Sequence, residues 1–357
     1  MRHYTAYRLL TALLPARGRR SLPPCLRPYA LHSGAVALFG EGSAETVLCF
    51  GEARRGTPVT PATFFRTASV SKMVAAMLAL SLSQTGALDL DGDAADALGI
   101  PLRHPAYPSV PITPRMLLSH TSGLTDGPAF FDGPSRGLTL PEVLSAVRFT
   151  AAPPGKAFCY SNSGFGVLGA VLEGASGATL DDLFHRFFPD VPGSFYPQCL
   201  SGMTADVHRV LPPRRTLDAA ALQNRPLPEK RPDPLRHYGL AHGSLYLTAE
   251  GLARIGQAAM GDAFAPLRLP VIPFGARDPL LTQGLGMFIL RDETLCPHTV
   301  YGHQGLAYGA VNGVFFDPEA RRGFALLTGG VSEARRHVLA DVNRALIRRL
   351  ITEGGAL

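Results

Sequence analysis

Apolar and polar positions first organise after Gly34, in two short β-like runs, Ala35–Phe39 and Thr46–Phe50, joined by Gly40-Glu41-Gly42. This spacing predicts a hairpin. Beyond Pro58 and Pro61, a stretch rich in Ala, Leu and Met runs to about Ser83 and closes at Gly86, predicting a helix that begins near Ser69. Residues 87–240 show only short helical patterns, Pro114–Leu118, Pro141–Val147, Ser163–Glu173 and Leu180–Phe187, between loops rich in Pro and Gly. The stretch 205–236, studded with proline from Pro212 to Pro234, predicts an extended surface loop. Strand-like runs return at Leu245–Leu247, Met287–Leu290, Val311–Phe316 and Gly323–Thr328, and Thr248 is a cap for a helix over Ala249–Met260. Val338, Val342, Leu346 and Leu350 fall on one stripe of a closing helix, Ser332–Ile351. Strands at both ends with helices between them predict a sheet domain from 34–66 and 240–357, interrupted by a mainly helical domain with long loops, 67–239.

The first 33 residues read as an N-terminal helix or a targeting segment. No acidic residue precedes Glu41, whereas Arg2, Arg8, Arg17, Arg19, Arg20 and Arg27 do, a targeting composition. Leu9–Ala16 is short for a secretory core and is interrupted at Thr11 and Pro15, while Tyr7, Leu10 and Leu14 share a stripe. A helix over 3–14 docked on the fold is therefore the favoured reading. With no clear signal peptide, a cytoplasmic location is expected ahead of a periplasmic or extracellular one.

Composition narrows the class. Of 357 residues, 46% are hydrophobic and 17% charged, enough to bury a sizeable core and too little charge for a disordered chain. The longest apolar run, Met73–Leu80, is far short of the roughly 18 residues of a membrane-spanning helix. The net charge of +6 is almost all arginine, since only Lys72, Lys156 and Lys230 are lysines. Clusters such as Arg214 and Arg215 lack interleaved aromatics and motif context, so no nucleic-acid partner is expected. The five cysteines show no C-x-x-C spacing, which predicts free thiols, no metal site and no cofactor.

Three polar groups could carry chemistry. In Ser69-Val70-Ser71-Lys72, a serine at a helix start and a lysine three residues on share one face, so the amine reaches the hydroxyl. The surrounding apolar residues predict a buried helix, in which an unpaired lysine costs several kcal/mol; Lys72 must have partners. Tyr160-Ser161-Asn162 follows Pro153-Pro154-Gly155 and precedes a Gly-rich helical stretch. A Y-x-N triplet arises by chance only about 0.1 times in such a chain. His303-Gln304-Gly305 is unremarkable by count, and its position ahead of the Val311–Phe316 strand is what matters.

Phe65-Arg66-Thr67-Ala68-Ser69-Val70-Ser71-Lys72, Leu117-Leu118-Ser119-His120-Thr121-Ser122-Gly123-Leu124, Tyr160-Ser161-Asn162 and Gly302-His303-Gln304-Gly305 together resemble the serine β-lactamase-related family. Its members include class C β-lactamases, low-molecular-mass penicillin-binding proteins, D-aminopeptidases and esterases. Order and spacing match over roughly residues 34–350. The resemblance implies an α/β (α+β) fold, an antiparallel sheet flanked by helices and built from both chain ends, with an inserted all-helical domain and the site in the groove between. It also implies a serine hydrolase that forms an acyl-enzyme on Ser69, with Lys72 or Tyr160 as the base. Asn162 and His303 would contact substrate, and the N–H groups of Ser69 and Leu306, the latter just past Gly305, would form the oxyanion hole. His120 is expected to be a hydrogen-bonding structural residue, and His242 and Cys159 packing residues.

His303-Gln304-Gly305 stands where β-lactamase members usually carry Lys-Thr-Gly. A mostly neutral imidazole attracts a substrate carboxylate less than a lysine does. Weight therefore shifts toward a small-molecule ester or a D-amino-acid amide or short peptide as substrate. The alternative is a penicillin-binding sensor or a non-catalytic binding module of the same fold. Oligomeric state does not follow from the sequence.

Overall fold

A computed structural model describes residues 22–227, 233–331, 337–355 and 357. The proposed 3–14 helix lies outside these residues. An eight-stranded, wholly antiparallel sheet is built from β1 (Gly34–Gly40), β2 (Ser43–Phe50), β3 (Ile272–Pro273), β4 (Leu281–Gln283), β5 (Phe288–Leu290), β6 (Val300–Ala307), β7 (Ala310–Asp317) and β8 (Arg322–Thr328). The order β3-β4-β5-β6-β7-β8-β1-β2 places the N-terminal hairpin against the last strand, with Gly34 opposite Thr328 and Gly40 opposite Arg322.

The sheet is covered on both faces, which is why its central strands read as continuous apolar runs. Ala35, Ala37 and Phe39 of β1 join Val314, Phe316 and Leu327 in one core, together with Leu252 and Ile255 of the helix Ala249–Met260. Val36 of the same strand joins Phe315, Phe324 and Leu326 in a second core, under Val342, Leu346 and Leu350 near the C-terminus. Gly256 lets its helix close on the sheet, because a Cβ there would lie 2.4 Å from the Phe39 ring.

Beside the sheet, α1 (Ser71–Gln84) is buried on every side from Ser71 to Leu82, as its unbroken apolar sequence requires. It packs against α2 (Asn162–Ser176), which starts at a Ser161 cap accepting from Gly164 N at 2.8 Å and stops at Gly177 in the left-handed region, φ 64°. The predicted helices Pro114–Leu118 and Leu180–Phe187 form as expected. A small sheet pairs Tyr246–Leu247 with both Phe65–Arg66 and Gly193–Ser194, fixing the approach to α1.

Two expectations need correction, and one strand leaves no mark in the local pattern. The 205–236 stretch is not all loop: Val207–Arg209 pairs with Arg214–Leu217, and a short helix, Ala219–Gln223, follows. Its order comes from Asp206, buried and accepting from Ala219 N at 3.0 Å, and from Asp218, which caps the helix through Ala221 N at 2.9 Å. The strand β6 carries Gly302, His303, Gln304 and Gly305, and no alternation betrays it. The last helix begins at Asp341, not Ser332, and ends in a π turn, Ile347–Thr352. Val338 lies ahead of it, because the Gln304 side chain donates to the Val338 carbonyl (2.6 Å) and accepts from Ala340 N (2.9 Å), holding this bent stretch out of the helix. Residues 332–336 lie outside the described chain.

Because α1 is packed on all sides, Leu78→Ala, at a fully buried position, should cost about 2–5 kcal/mol in a urea unfolding curve. A loss below about 1 kcal/mol would show that the helix is not a central packing element.

Candidate active site

Ser69 sits in a single 3₁₀ turn, Ala68–Val70, that leads into α1, and it is half-buried. Ala68 is held in the left-handed region at φ 52°, a conformation that costs a non-glycine residue about 1–3 kcal/mol. Neighbouring bonds hold it there. The Thr67 hydroxyl and backbone N both donate to the Leu245 carbonyl, at 2.9 and 2.8 Å, and Ser71 Oγ donates to the Ala68 carbonyl at 2.7 Å. Leu245 N in turn donates to Ser71 Oγ at 3.1 Å. The turn is thereby stapled to the strand beside it.

Lys72 is fully buried, one turn on. Its Nζ lies 3.1 Å from Ser69 Oγ, 2.8 Å from Asn162 Oδ1 and 2.6 Å from the His242 carbonyl oxygen, with the Tyr160 ring centroid at 5.1 Å. Burial brings its pKa down to about 7; Asp126 opposes the shift and Arg66 adds to it. Burial pushes the Tyr160 phenol well above its ordinary value, against a hydrogen bond with the Ser69 side chain that lowers it. Around neutral pH the phenol keeps its proton while the amine is divided between its charged and neutral forms.

Three imidazoles surround this pair, His120 and His303 buried and His242 half-buried at the cavity. His120 stacks beside Tyr160 with ring centroids 4.3 Å apart, and its Nδ1 accepts from Ser161 N at 3.0 Å. His242 and His303 are brought to about 3, and His120 well below its usual value, first by burial and then by the Lys72 charge. All three are neutral at physiological pH.

The structure brings Ser69, Lys72, Tyr160 and Asn162 together and places the third motif differently from expectation. A cavity of about 1110 Å³ opens over Ser69, walled by Tyr160, Asn162, Gln304 and Leu306, with Phe131, Phe158, Phe274 and Tyr308 supplying apolar surface. His303 is not in that wall. It is fully buried, stacked on Phe288 at 4.3 Å with the Tyr160 ring 6.5 Å away, and its Nδ1 donates to the Gln304 carbonyl. Gly305 is the point of closest approach between β6 and the nucleophile turn. A Cβ there would lie 2.2 Å from the Thr67 carbonyl oxygen and 3.2 Å from Ser69 N. The β5 ladder ends at Gly302, so 303–307 meet the Ser69 turn along an open edge.

Asp126 escaped the reading of the sequence. Its Oδ1 accepts from Asn162 N (2.7 Å), Ser163 N (2.9 Å) and Ser163 Oγ (3.2 Å), and its Oδ2 accepts from Asn162 Nδ2 (2.6 Å). The available signal was its isolation, because no other carboxylate lies between Asp96 and Asp132. Among the described residues, no group of three or more His, Cys, Asp or Glu side chains could hold a metal ion.

A family model for β-lactamase matches residues 24–349, nearly the whole described chain. The chain belongs to the β-lactamase family. Penicillin-binding protein 4 of Amycolatopsis lactamdurans is 28% identical over 237 residues, covering 65% of this chain and 60% of that protein. The chain thus spans less than two thirds of that relative's length. EstCE1, described as a hydrolase with promiscuous acyltransferase activity, superposes with a TM-score of 0.71 at 22% identity, covering 96% of this chain and 98% of that one. The octameric penicillin-binding protein homologue from Pyrococcus abyssi has a TM-score of 0.68 at 20% identity, over 91% of this chain and 74% of that one. The D-amino acid amidase from Ochrobactrum anthropi SV3 has a TM-score of 0.67 at 19% identity, over 89% and 92%. These likenesses establish the fold of this β-lactamase-family chain, an antiparallel sheet flanked by helices.

Gly305→Ala should force β6 away from the Ser69 turn and slow labelling by a fluorophosphonate about 10²-fold or more, the scale of one lost oxyanion donor. Labelling at the wild-type rate would show that the close approach has no bearing on reactivity.

Proposed function

We propose that this β-lactamase-family protein is a serine hydrolase that forms an acyl-enzyme on Ser69, with an ester or a D-amino-acid amide as substrate. The observation that carries this reading is the set of partners around Lys72. A neutral amine has two N–H groups and one lone pair. The His242 carbonyl oxygen and Asn162 Oδ1 can only accept, so both N–H groups are taken and the lone pair is left for the Ser69 hydroxyl at 3.1 Å. Lys72 is the base in this reading, since its depressed pKa leaves a substantial fraction of the amine neutral near pH 7.

The Ser69 proton passes to Lys72 Nζ as Oγ bonds to the substrate carbonyl carbon. The developing oxyanion is met by the N–H groups of Ser69 and Leu306. Tyr160, protonated and hydrogen-bonded to the Ser69 side chain, is placed to give a proton to the departing group. As the bond to that group breaks, Lys72 passes its proton to Tyr160 and both regain their starting forms. Water then attacks the acyl carbonyl carbon, giving a proton to Lys72, and the acid leaves as that proton returns to Ser69 Oγ. The apolar walls of the cavity suit a substrate with a sizeable uncharged part. The names carried by its relatives, penicillin-binding protein, hydrolase with acyltransferase activity and D-amino acid amidase, frame the substrates to be tried.

Intact-protein mass after brief incubation with a penicillin and, separately, a fluorophosphonate should show one adduct in the wild type and none in Ser69→Ala. A Ser69→Ala variant that still hydrolyses ester would overturn the mechanism. A penicillin adduct that forms once and never turns over would point instead to a penicillin sensor.

The pH dependence follows from the sign of the Lys72 shift. Its pKa is lowered to about 7, and only the neutral amine accepts a proton, so kcat/KM for an ester should climb through about pH 7 and level off above it. A rate that is flat from pH 5 to 9 would remove Lys72 as the base.

A further inference from the structure

The amide of Asn162 has two ends that differ in what they can do, and Lys72 is served by one of them. If Oδ1 faces Lys72, the amine donates to it and keeps its lone pair for Ser69. If Nδ2 faced Lys72, the amine would accept from the amide and its lone pair would be taken. What decides the orientation is the group at the other end. We propose that Asp126 is a positioning residue that orients the Asn162 amide, keeping the lone pair of Lys72 directed at Ser69. This inference rests on the reading of Lys72 as base.

The geometry argues for this step by step. An ionised carboxylate only accepts. Asp126 Oδ2 lies 2.6 Å from Asn162 Nδ2, so the amide must present its NH₂ group there and its oxygen to Lys72, 2.8 Å away on the other side. The carboxylate is itself fixed at Oδ1 by Asn162 N, Ser163 N and Ser163 Oγ in the first turn of α2. A helix N-terminus favours that negative charge. Donation therefore runs in one consistent direction, from the Ser69 hydroxyl to Lys72, from Lys72 to Asn162 and from Asn162 to Asp126.

The charges around Lys72 make the effect readable. Facing its amine are Arg66, Asp126, Tyr160 and the imidazoles of His120, His242 and His303. The imidazoles are neutral and the phenol protonated at neutral pH, so Asp126 and Arg66 are the formal charges. Removing the Asp126 carboxylate takes away the influence that holds the ammonium form up.

The test uses hydrolysis of p-nitrophenyl butyrate by the full chain. In Asp126→Asn, the oxygen of the new amide keeps the α2 N–H groups, and its NH₂ confronts Asn162 Nδ2 and turns that amide over. The expected result is a fall in kcat of about 10²-fold, the lower range for loss of a general base, with KM little changed. The acid limb of the residual activity should move to lower pH. The reversed pair, Asp126→Asn with Asn162→Asp, restores an acceptor facing Lys72. It should recover kcat at alkaline pH, with the acid limb moved to higher pH by the adjacent carboxylate.

A role confined to holding the helix would lower the melting temperature, and the reversed pair would then recover no kcat, since the limb moves with the charge in either case. Wild-type kcat in Asp126→Asn, or a folded reversed pair that recovers nothing, would overturn the inference. Should Asp126→Asn not fold, Asp126→Glu carries the test: its carboxylate must keep the acid limb near its wild-type position, and a displaced limb would count against the inference. Ser69→Ala separates the two levels, since a dead Ser69→Ala beside an unaltered Asp126→Asn removes only this inference, whereas an active Ser69→Ala removes the nucleophile itself.

Discussion

One amino group with no access to water organises the site. Lys72 lies on a helix buried on all sides, where an unsatisfied amine costs several kcal/mol, so every hydrogen it carries must be met by protein. Its acceptors come from 90 residues away, at Asn162, and 170 residues away, at the carbonyl of His242. Satisfying one lysine thus draws α1, the start of α2 and the segment leading to Tyr246–Leu247 to a single point. The same burial lowers the affinity of the amine for a proton, so the constraint that assembles the site also makes the amine a usable base in the mechanism proposed here.

Much of the frame was legible because it obeys simple periods. The 34–50 hairpin, the helix after Ser69, the cap at Thr248 and the strands flanking Asp317 are all announced by local pattern, and the structure has them. The partnership of Lys72 was legible too, since an apolar helix could not leave it alone. What was not legible depended on side chains acting across distance. Asp206 and Asp218 order the 207–223 segment through backbone N–H groups, and no apolar pattern records that. β6 was hidden because its glycines are there for close approach, and glycine carries no hydrophobic signal. The late start of the last helix traces to Gln304, some 34 residues earlier.

The motif residues were found more easily than their orientation. His303 looked like a substrate contact, yet it stands behind Tyr160, neutral and stacked on Phe288. A triplet shows which residues are adjacent in sequence and not which of them faces the cavity. Asp126 shows the converse: it belongs to no recognised triplet and makes four hydrogen bonds to the Asn162–Ser163 pair that the Y-x-N motif introduces.

Alternate residues of a strand point to opposite sides, and β6 uses both. Gly305 closes on the Ser69 turn, while Gln304 reaches the other way and grips the chain at Val338 and Ala340. Val338 and His337 belong to the cavity wall. The Gln304 amide thus ties the wall on that side to the strand that also meets the nucleophile turn. Such a joint couples the substrate wall to the reaction: a change at Gln304 would reach His337 and Val338 on one side and the strand that meets the Ser69 turn on the other.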